Sequence, residues 1–263
     1  MLKDSDLLRI ATFNIWNHDS LWLERLEAIC EEIRTISPHI LALQEVRSCV
    51  NLNSKKNVAQ YIAGQIGYPF CIFKEYPDFP DEGLAFLSKI PIIDEEAIWE
   101  TDIDESNYCA IRITFTYKGC KLGVTNVHLN WKSNRKRQEQ MNAVNNWITN
   151  RVSDYELCGD FNDDPYSMVH QYLIRKHWID VAQFKEIEEN MIAQPTLDYR
   201  KNPNLKGDVN QEKRYDWVMI QENAAFEFPT IENVSIFGDS VLTSTGVFPS
   251  DHYGVFVDLK FNE

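Results

Sequence analysis

Five strand-like segments of this 263-residue chain each finish in a residue able to hold a cation, donate an amide or carry a proton. The run Leu7 to Phe13 closes on Asn14, Ile40 to Leu43 on Gln44-Glu45, and Leu122 to Val127 on His128. A fourth run ends in Gly159-Asp160-Phe161-Asn162, and Ser250-Asp251-His252 answers it near the C-terminus. Short apolar runs bounded by polar residues read as strands buried on both faces. One polar residue ending such a strand is only the start of a loop. Five of these chemical types together constrain the fold to one that gathers strand ends around a common point.

Strands are expected at Leu7–Trp16, Ile40–Val46, Gly83–Ser88, Tyr108–Tyr117, Lys121–Leu129, Tyr155–Phe161, Tyr215–Gln221, Val234–Phe237 and Tyr253–Phe261. Helical spacing of Leu23, Leu26, Ile29, Cys30 and Ile33 predicts a helix over Asp19 to Ile36, capped by Asp19 or Ser20 and stopped before Pro38. Ser54 to Ile66 and Ser133 to Val152 read the same way, the latter with Met141, Val144, Trp147 and Ile148 as its inner stripe. This order of hairpin strands with interspersed helices predicts an α/β fold of two mixed, mainly antiparallel sheets packed face to face with helices outside. No repeat or low-complexity tract interrupts it, so residues 1–263 are expected to form a single domain.

Twenty-six Lys and Arg against 40 Asp and Glu give a formal charge of -14, which works against indiscriminate binding of polyanions or acidic membranes. Cys30, Cys49, Cys71, Cys109, Cys120 and Cys158 form no close pairs and match no zinc spacing. They read as free thiols of a reducing compartment. With two acids in Met1-Leu2-Lys3-Asp4-Ser5-Asp6 and no apolar stretch of spanning length, neither a signal peptide nor a transmembrane segment is expected, and the location reads as cytoplasmic.

Ala11-Thr12-Phe13-Asn14, Leu43-Gln44-Glu45-Val46, Glu82-Gly83-Leu84-Ala85-Phe86-Leu87-Ser88 and Thr125-Asn126-Val127-His128-Leu129 follow one another along the chain. Gly159-Asp160-Phe161-Asn162, Arg214-Tyr215-Asp216-Trp217 and Pro249-Ser250-Asp251-His252 complete the series. In this order the set resembles the endonuclease/exonuclease/phosphatase superfamily, over nearly the whole chain. The resemblance implies a four-layer α-β-β-α sandwich and a metal-dependent phosphoester hydrolase using Mg²⁺, with Mn²⁺ as an alternative. Such hydrolysis must neutralise phosphoryl charge, deprotonate a water opposite the leaving group and stabilise the leaving oxygen.

By the resemblance, Glu45 with Asn14 forms a sparse metal site of the kind Mg²⁺ accepts, with Asp251 at its edge. Taken alone, Glu45 reads as a capping or surface acid; its place after Leu43-Gln44 in the resemblance is what makes it a metal ligand. Asp160 is implied as the general base, and Asn162 as a donor to the attacking water or to a phosphoryl oxygen. An Asx-turn at Asp160–Pro165 is compatible with both, and Asp164 reads as a helix cap. His128 and His252 are implied to flank the phosphate, with Glu82 supporting His128 and Asp216 supporting His252. His18, His39, His170 and His177 read as surface or core histidines.

AP endonucleases carry a tyrosine where this chain has His128 and a lysine two residues after the metal-binding glutamate, where it has Arg47 after Glu45-Val46. The sequence thus leans toward the deoxyribonuclease, sphingomyelinase, phosphatase and tyrosyl-DNA phosphodiesterase branches. Pro195-Thr196-Leu197-Asp198 with Asn202-Pro203-Asn204 resembles a loop of these relatives that approaches the site before Asp216. Lys132-Ser133-Asn134-Arg135-Lys136-Arg137 is the clear basic cluster, readable as a grip on flanking phosphates through Arg135 and Arg137 or as a solvated helix start. Trp16 and Trp131 read as stacking platforms or as packing at the rim. Tyr68 to Phe79 reads as an aromatic substrate loop or, in its first half, as core with the second half exposed. The leading expectation is a nuclease or phosphodiesterase acting on nucleic acid or nucleotide-like esters. A small-molecule phosphatase or sphingomyelinase-like phosphodiesterase is the runner-up, and a catalytically silent binding scaffold the alternative of another class.

Overall fold

The computed structural model describes residues 7–50, 56–77, 79–99, 109–149, 154–190, 192–222 and 228–261. Elements are numbered in chain order. One six-stranded sheet runs, in spatial order, β13 (Thr230–Phe237), β14 (Gly254–Lys260), β1 (Leu7–Asn14), β2 (Ile40–Arg47), β4 (Phe79–Ser88) and β3 (Phe70–Tyr76). The other runs β5 (Ile92–Ile98), β6 (Ala110–Tyr117), β7 (Cys120–His128), β8 (Asp154–Asp160), β12 (Asp216–Gln221) and β9 (Trp178–Asp180). A short ribbon pairs β10 (Leu197–Asp198) with β11 (Glu212–Lys213). Each large sheet is antiparallel except for one central parallel pair, β1 with β2 and β7 with β8. Parallel neighbours need a crossover, supplied by helix α1 (Trp22–Ile36) in the first sheet and α3 (Asn134–Thr149) in the second. Helices α2 (Val58–Ile66), α4 (Met168–Arg175) and α5 (Val181–Glu189) complete the set among the described residues.

The side-chain period of two in β1 sends Leu8 and Ile10 into the space between the sheets and Ala11 and Phe13 toward the helices. Between the sheets, Ile10 and Phe86 meet Ile113, Val124 and Val218. Ile29 and Ile33 of α1 and Ile62 of α2 cover the outer face of the first sheet. Met141, Val144 and Ile148 of α3 and Leu173 of α4 cover that of the second. Strands buried on both faces explain the near-continuous apolar runs, and the four-layer α-β-β-α sandwich expected from the sequence is the architecture observed.

Polar residues also cross the dry interface. Gln44 Nε2 donates to Thr12 Oγ1 at 3.0 Å and Asn126 Oδ1 at 2.7 Å, and Asn126 Nδ2 donates to the carbonyls of Leu43 and Ala85 at 3.0 and 3.1 Å. These bonds join the parallel pair of one sheet to that of the other, so the strand ends beyond them share one register.

Several elements differ from the sequence reading. Helix α1 starts at Trp22 rather than Asp19, because Leu21 turns left-handed (φ 48°) and Arg25 Nε takes the Ser20 carbonyl at 2.9 Å. Helix α2 starts at Val58, where Asn57 and Gln60 form a reciprocal capping box. Ser167, not Asp164, caps α4, and Asp164 instead binds Lys213 Nζ at 2.8 Å. The Tyr68–Phe79 segment is largely edge strand β3, and Tyr76 in its second half is fully buried rather than exposed. Strands β5 and β9 and helices α4 and α5 were not anticipated. β5 is half-exposed with three consecutive acids, so it lacks the apolar run that marks the inner strands.

Candidate active site

Asn14, Glu45, His128 and Asp160 sit at or next to the carboxyl ends of the two parallel pairs, the usual place for ligands in mixed α/β sheets. At the second pair, β7 and β8 approach so closely that a Cβ on Gly159 would lie 2.0 Å from the Val127 carbonyl oxygen. Gly159 also has φ 138°, so only glycine permits the contact that aligns His128 with Asp160. On β2 a bulge between Leu43 and Val46 puts Glu45 in the left-handed region (φ 55°), and Trp16 (φ 55°) and Asn162 (φ 50°) share that conformation. Three non-glycine residues so held around one point mark a site whose geometry the surrounding structure enforces.

Asp160 is fully buried and forms the hub. Its Oδ2 accepts from Asn14 Nδ2 at 3.0 Å and lies 3.6 Å from His128 Nε2 and 3.9 Å from His252 Nε2; its Oδ1 accepts from the Asn162 backbone N–H at 2.8 Å. Burial and nearby Asp216 push its carboxyl above the usual range, against the pull of the two histidines. His252 Nδ1 meets Asp216 Oδ2 at 2.9 Å. Burial works against its charge, but Asp216 and Asp160 outweigh that and hold the imidazole well above its ordinary value, as a cation. His128 is pushed the other way: burial lowers it despite Asp160 and Glu45.

Beside the hub lies a second group of acids. Glu45 Oε1 accepts from Asn14 Nδ2 at 3.0 Å and its Oε2 from the Asn17 backbone at 2.9 Å, while Asn17 Nδ2 donates to Glu82 Oε2 at 2.8 Å. Burial and Glu45 raise Glu82 to about 8. Burial, Glu45 and Asp160 raise Asp251 to about 7, although His252 opposes this. Buried acids raised in this way are relieved by a cation, and the carboxylate oxygens of Glu45, Glu82 and Asp251 are the donor type a hard one takes; Asn14 turns its Nδ2 to Glu45, and its Oδ1 accepts from Trp16 N–H at 2.9 Å. Ligand atoms of Asp160, Asp216 and His252 also lie within 4.8 Å of one another. The Nδ1 of His252 is engaged by Asp216, however, and a charged imidazole repels metal, so this triad suits proton transfer.

The sequence-derived residues are thus not equally placed. Asn14, Glu45, Glu82, His128, Asp160, Asn162, Asp216, Asp251 and His252 converge. Glu82 does not support His128, as the resemblance implied: its carboxylate is turned to Asn17, and Tyr76 Oη occupies the His128 Nδ1 position at 2.8 Å. Arg137 is buried and donates to the Asn130 carbonyl at 2.9 Å, to Asp163 Oδ2 at 3.2 Å and to Asn134 Oδ1, so it braces the loop after β7 and does not reach out to a substrate. Arg135 and Trp131 are exposed, with Lys132 Nζ 5.2 Å from the Trp131 ring centroid. Trp16 is held between its neighbours, stacked on His18 at 4.4 Å with Arg25 4.5 Å from its centroid. Asn162 Nδ2 donates to Leu129 O at 3.0 Å, which engages one of the two amide hydrogens.

Two supports, Arg25 and the Asp180 cluster, escaped sequence reasoning, whereas the Pro195–Asn204 loop lies where the resemblance implies, against the segment before Asp216. Buried Arg25 donates to the carbonyls of Ile15, Trp16, His18, Ser20 and Pro249, tying the loop after β1 to the segment before Ser250. Its position in the inner stripe of an amphipathic helix was the available signal. Asn202 Nδ2 holds the carbonyls of Ser250 and Asp251 at 2.9 and 3.1 Å, while Thr196 Oγ1 receives the backbone N–H groups of Tyr215 and Asp216. Asp180, Arg214 and His170 form a buried ionic cluster behind Asp216.

Comparison with known proteins agrees with this geometry. The family model described as Endonuclease/Exonuclease/phosphatase family matches residues 11–252. Nocturnin from Xenopus laevis is 25% identical over 92% of this chain, which spans only 66% of that relative's length. The crystal structure of D. rerio TDP2 complexed with single strand DNA product superposes with a TM-score of 0.80 at 19% identity, covering 97% of this chain and 99% of that one. A functionally unknown conserved protein from Enterococcus faecalis V583 gives a TM-score of 0.72 at 22% identity, covering 97% and 100%. At such identities the structural likeness is one of fold, but the family match runs from the strand that ends in Asn14 through His252. The chain belongs to the Endonuclease/Exonuclease/phosphatase family, whose members hydrolyse phosphoester bonds.

Proposed function

We propose that the chain works as a single-domain, divalent-metal-dependent phosphodiesterase acting on nucleic acid or nucleotide-like esters. The observation that carries this reading is the buried Asp160 carboxylate, in reach of Asn14, His128 and the His252–Asp216 pair. Asp160 orients the attacking water and takes its proton; His252, kept charged by Asp216, stabilises phosphoryl charge and the leaving oxygen. His128 and the second amide hydrogen of Asn162 supply further donors to the phosphoryl group. Glu45, Glu82 and Asp251 would hold the cation. When bound, Mg²⁺ or Mn²⁺ supplies Lewis-acid neutralisation of phosphoryl charge.

A chelator is expected to abolish hydrolysis, and added Mg²⁺ or Mn²⁺ to restore it. In the absence of substrate the same ions should raise the melting temperature near neutral pH, because they relieve repulsion among Glu45, Glu82 and Asp251. Full activity in excess chelator would refute the metal assignment. The panel that decides the substrate is plasmid DNA, single-stranded RNA and DNA, a 5′-tyrosyl oligonucleotide, sphingomyelin, an inositol polyphosphate and an aryl phosphodiester.

Exposed Trp131, with Lys132 Nζ 5.2 Å from its ring centroid, follows His128 in the chain, and exposed Arg135, paired with Glu139 at 2.7 Å, opens α3; an aromatic face and cations here, in a chain of charge -14, support a polynucleotide over a small ester. Replacing Arg135 and Lys136 by alanine is expected to raise KM several-fold for an oligonucleotide and far less for the aryl phosphodiester. Equal effects on both would assign these residues to structure and favour the small-ester reading. Among the described residues no helix is long and apolar enough to cross a membrane. None of the six cysteines forms a disulfide among the described residues, which supports a reducing, cytoplasmic location.

A further inference from the structure

The two imidazoles of the site have partners of different kinds. His252 Nδ1 faces a carboxylate, whereas His128 Nδ1 faces the hydroxyl of Tyr76 at 2.8 Å, across the gap between the sheets. Tyr76 is fully buried, its ring edge-on to Trp99 with centroids 5.9 Å apart at 87°. It reaches His128 because the pairing of β3 with β4 slips between Glu75 and Tyr76. Such irregularities re-aim side chains beside functional sites.

The other nitrogen of His128, Nε2, lies 3.6 Å from Asp160 Oδ2, beyond hydrogen-bond length but near enough for the carboxylate to favour a proton on Nε2. A neutral imidazole has one donor and one acceptor nitrogen, so a proton on Nε2 leaves Nδ1 to accept from the phenol O–H. We propose that Tyr76 is a positioning residue that donates to His128 Nδ1 and fixes this histidine as the neutral Nε2–H tautomer. His128 is then a fixed Nε2–H donor on the Asp160 side of its ring, whereas the carboxylate at the Nδ1 of His252 calls for a proton there. Exchanging a phenol for a carboxylate at one Nδ1 thus gives two chemically identical side chains different hydrogen-bond roles.

The consequence for rate rests on the proposed hydrolytic reading; the tautomer does not. The test is ¹⁵N NMR of the histidine-labelled full chain near pH 7 without substrate, with the His128 signals identified by their loss in His128→Gln. The wild-type protein is expected to show His128 protonated at Nε2 only, and Tyr76→Phe to show mixed tautomers or the doubly protonated ring. On a substrate that the wild type cleaves, Tyr76→Phe is expected to lower kcat about 10- to 100-fold with KM little changed. A wild-type His128 protonated at Nδ1, or nitrogen shifts unaltered in Tyr76→Phe, would overturn the proposal, and so would an unchanged kcat. Failure of the wild type to cleave any phosphoester would count against the functional reading and leave the NMR result to decide the tautomer.

Discussion

Asp160→Asn is expected to lower turnover about 10³- to 10⁴-fold while the protein stays folded. Asparagine keeps the size of the side chain and an oxygen to accept from Asn14 or from the Asn162 backbone, but it cannot take a proton from water. Asparagine also turns an amide nitrogen toward one of those two donors, at a cost of about 1–3 kcal/mol. Against that, it removes a carboxylate whose charge is already disfavoured by burial, so the melting temperature should move by only a few degrees. The check is steady-state cleavage of a responsive substrate from the panel together with thermal melting. Near wild-type turnover in a folded Asp160→Asn protein would remove Asp160 from the chemistry and revive the scaffold alternative.

The opposite pattern is expected at Asp180, which lies behind the site. Its carboxylate receives both Arg214 Nη atoms, at 3.1 and 2.6 Å, and His170 Nε2 at 2.9 Å, and it caps α5 through Ala182 N and Gln183 N. Asp180→Ala leaves a buried guanidinium without its counter-charge and strips the helix cap, so a loss of roughly 3–5 kcal/mol is expected. For a chain of this length that corresponds to a fall in melting temperature on the order of 10 °C. The fraction that remains folded should keep most of its kcat, because Asp180 touches none of the reacting groups. A melting temperature unchanged in this variant would show that the cluster contributes nothing net.

The same cluster sets an acid limit. Burial alone would raise Asp180, but Arg214 and His170 more than offset it and hold the carboxyl at about 2, below its ordinary 3.8. A depressed folded-state value contributes stability above the unfolded value and loses it as pH falls through the folded one. About 2 kcal/mol is therefore present above roughly pH 4 and lost between about pH 4 and pH 2. Unfolding free energy measured across that window should fall more steeply in the wild type than in Asp180→Ala.

How far the sequence could be read follows from where the information lies. Apolar runs ending in Asn14, Glu45, His128 and Asp160 report burial on both faces and a polar strand end, and both are local properties that survive as composition. The spacing of Ile29 and Ile33, or of Met141, Val144 and Ile148, likewise encodes which helix face is covered. The partner of His128 was not legible in this way. Glu82 and Tyr76 both lie too far from it along the chain for any local argument, and a register slip of β3 against β4 decided between them. Arg137 misled for a related reason: a cation in a basic run reads as solvent-facing until the helix phase and the Asn130 carbonyl turn it inward.

The sequence by itself determined the layers and the strand ends that carry chemistry, because periodicity and residue type are sufficient for both, and the family through the resemblance of its ordered motifs. Tertiary structure alone decided the pairing of charges: His252 with Asp216 rather than another acid, Arg214 and His170 on Asp180, Arg25 on five carbonyls, and a phenol rather than a carboxylate at His128. Those contacts join residues from 5 to 224 positions apart. Hydrogen-bond and Coulomb energies fall off over a few ångströms of space and are blind to separation along the chain.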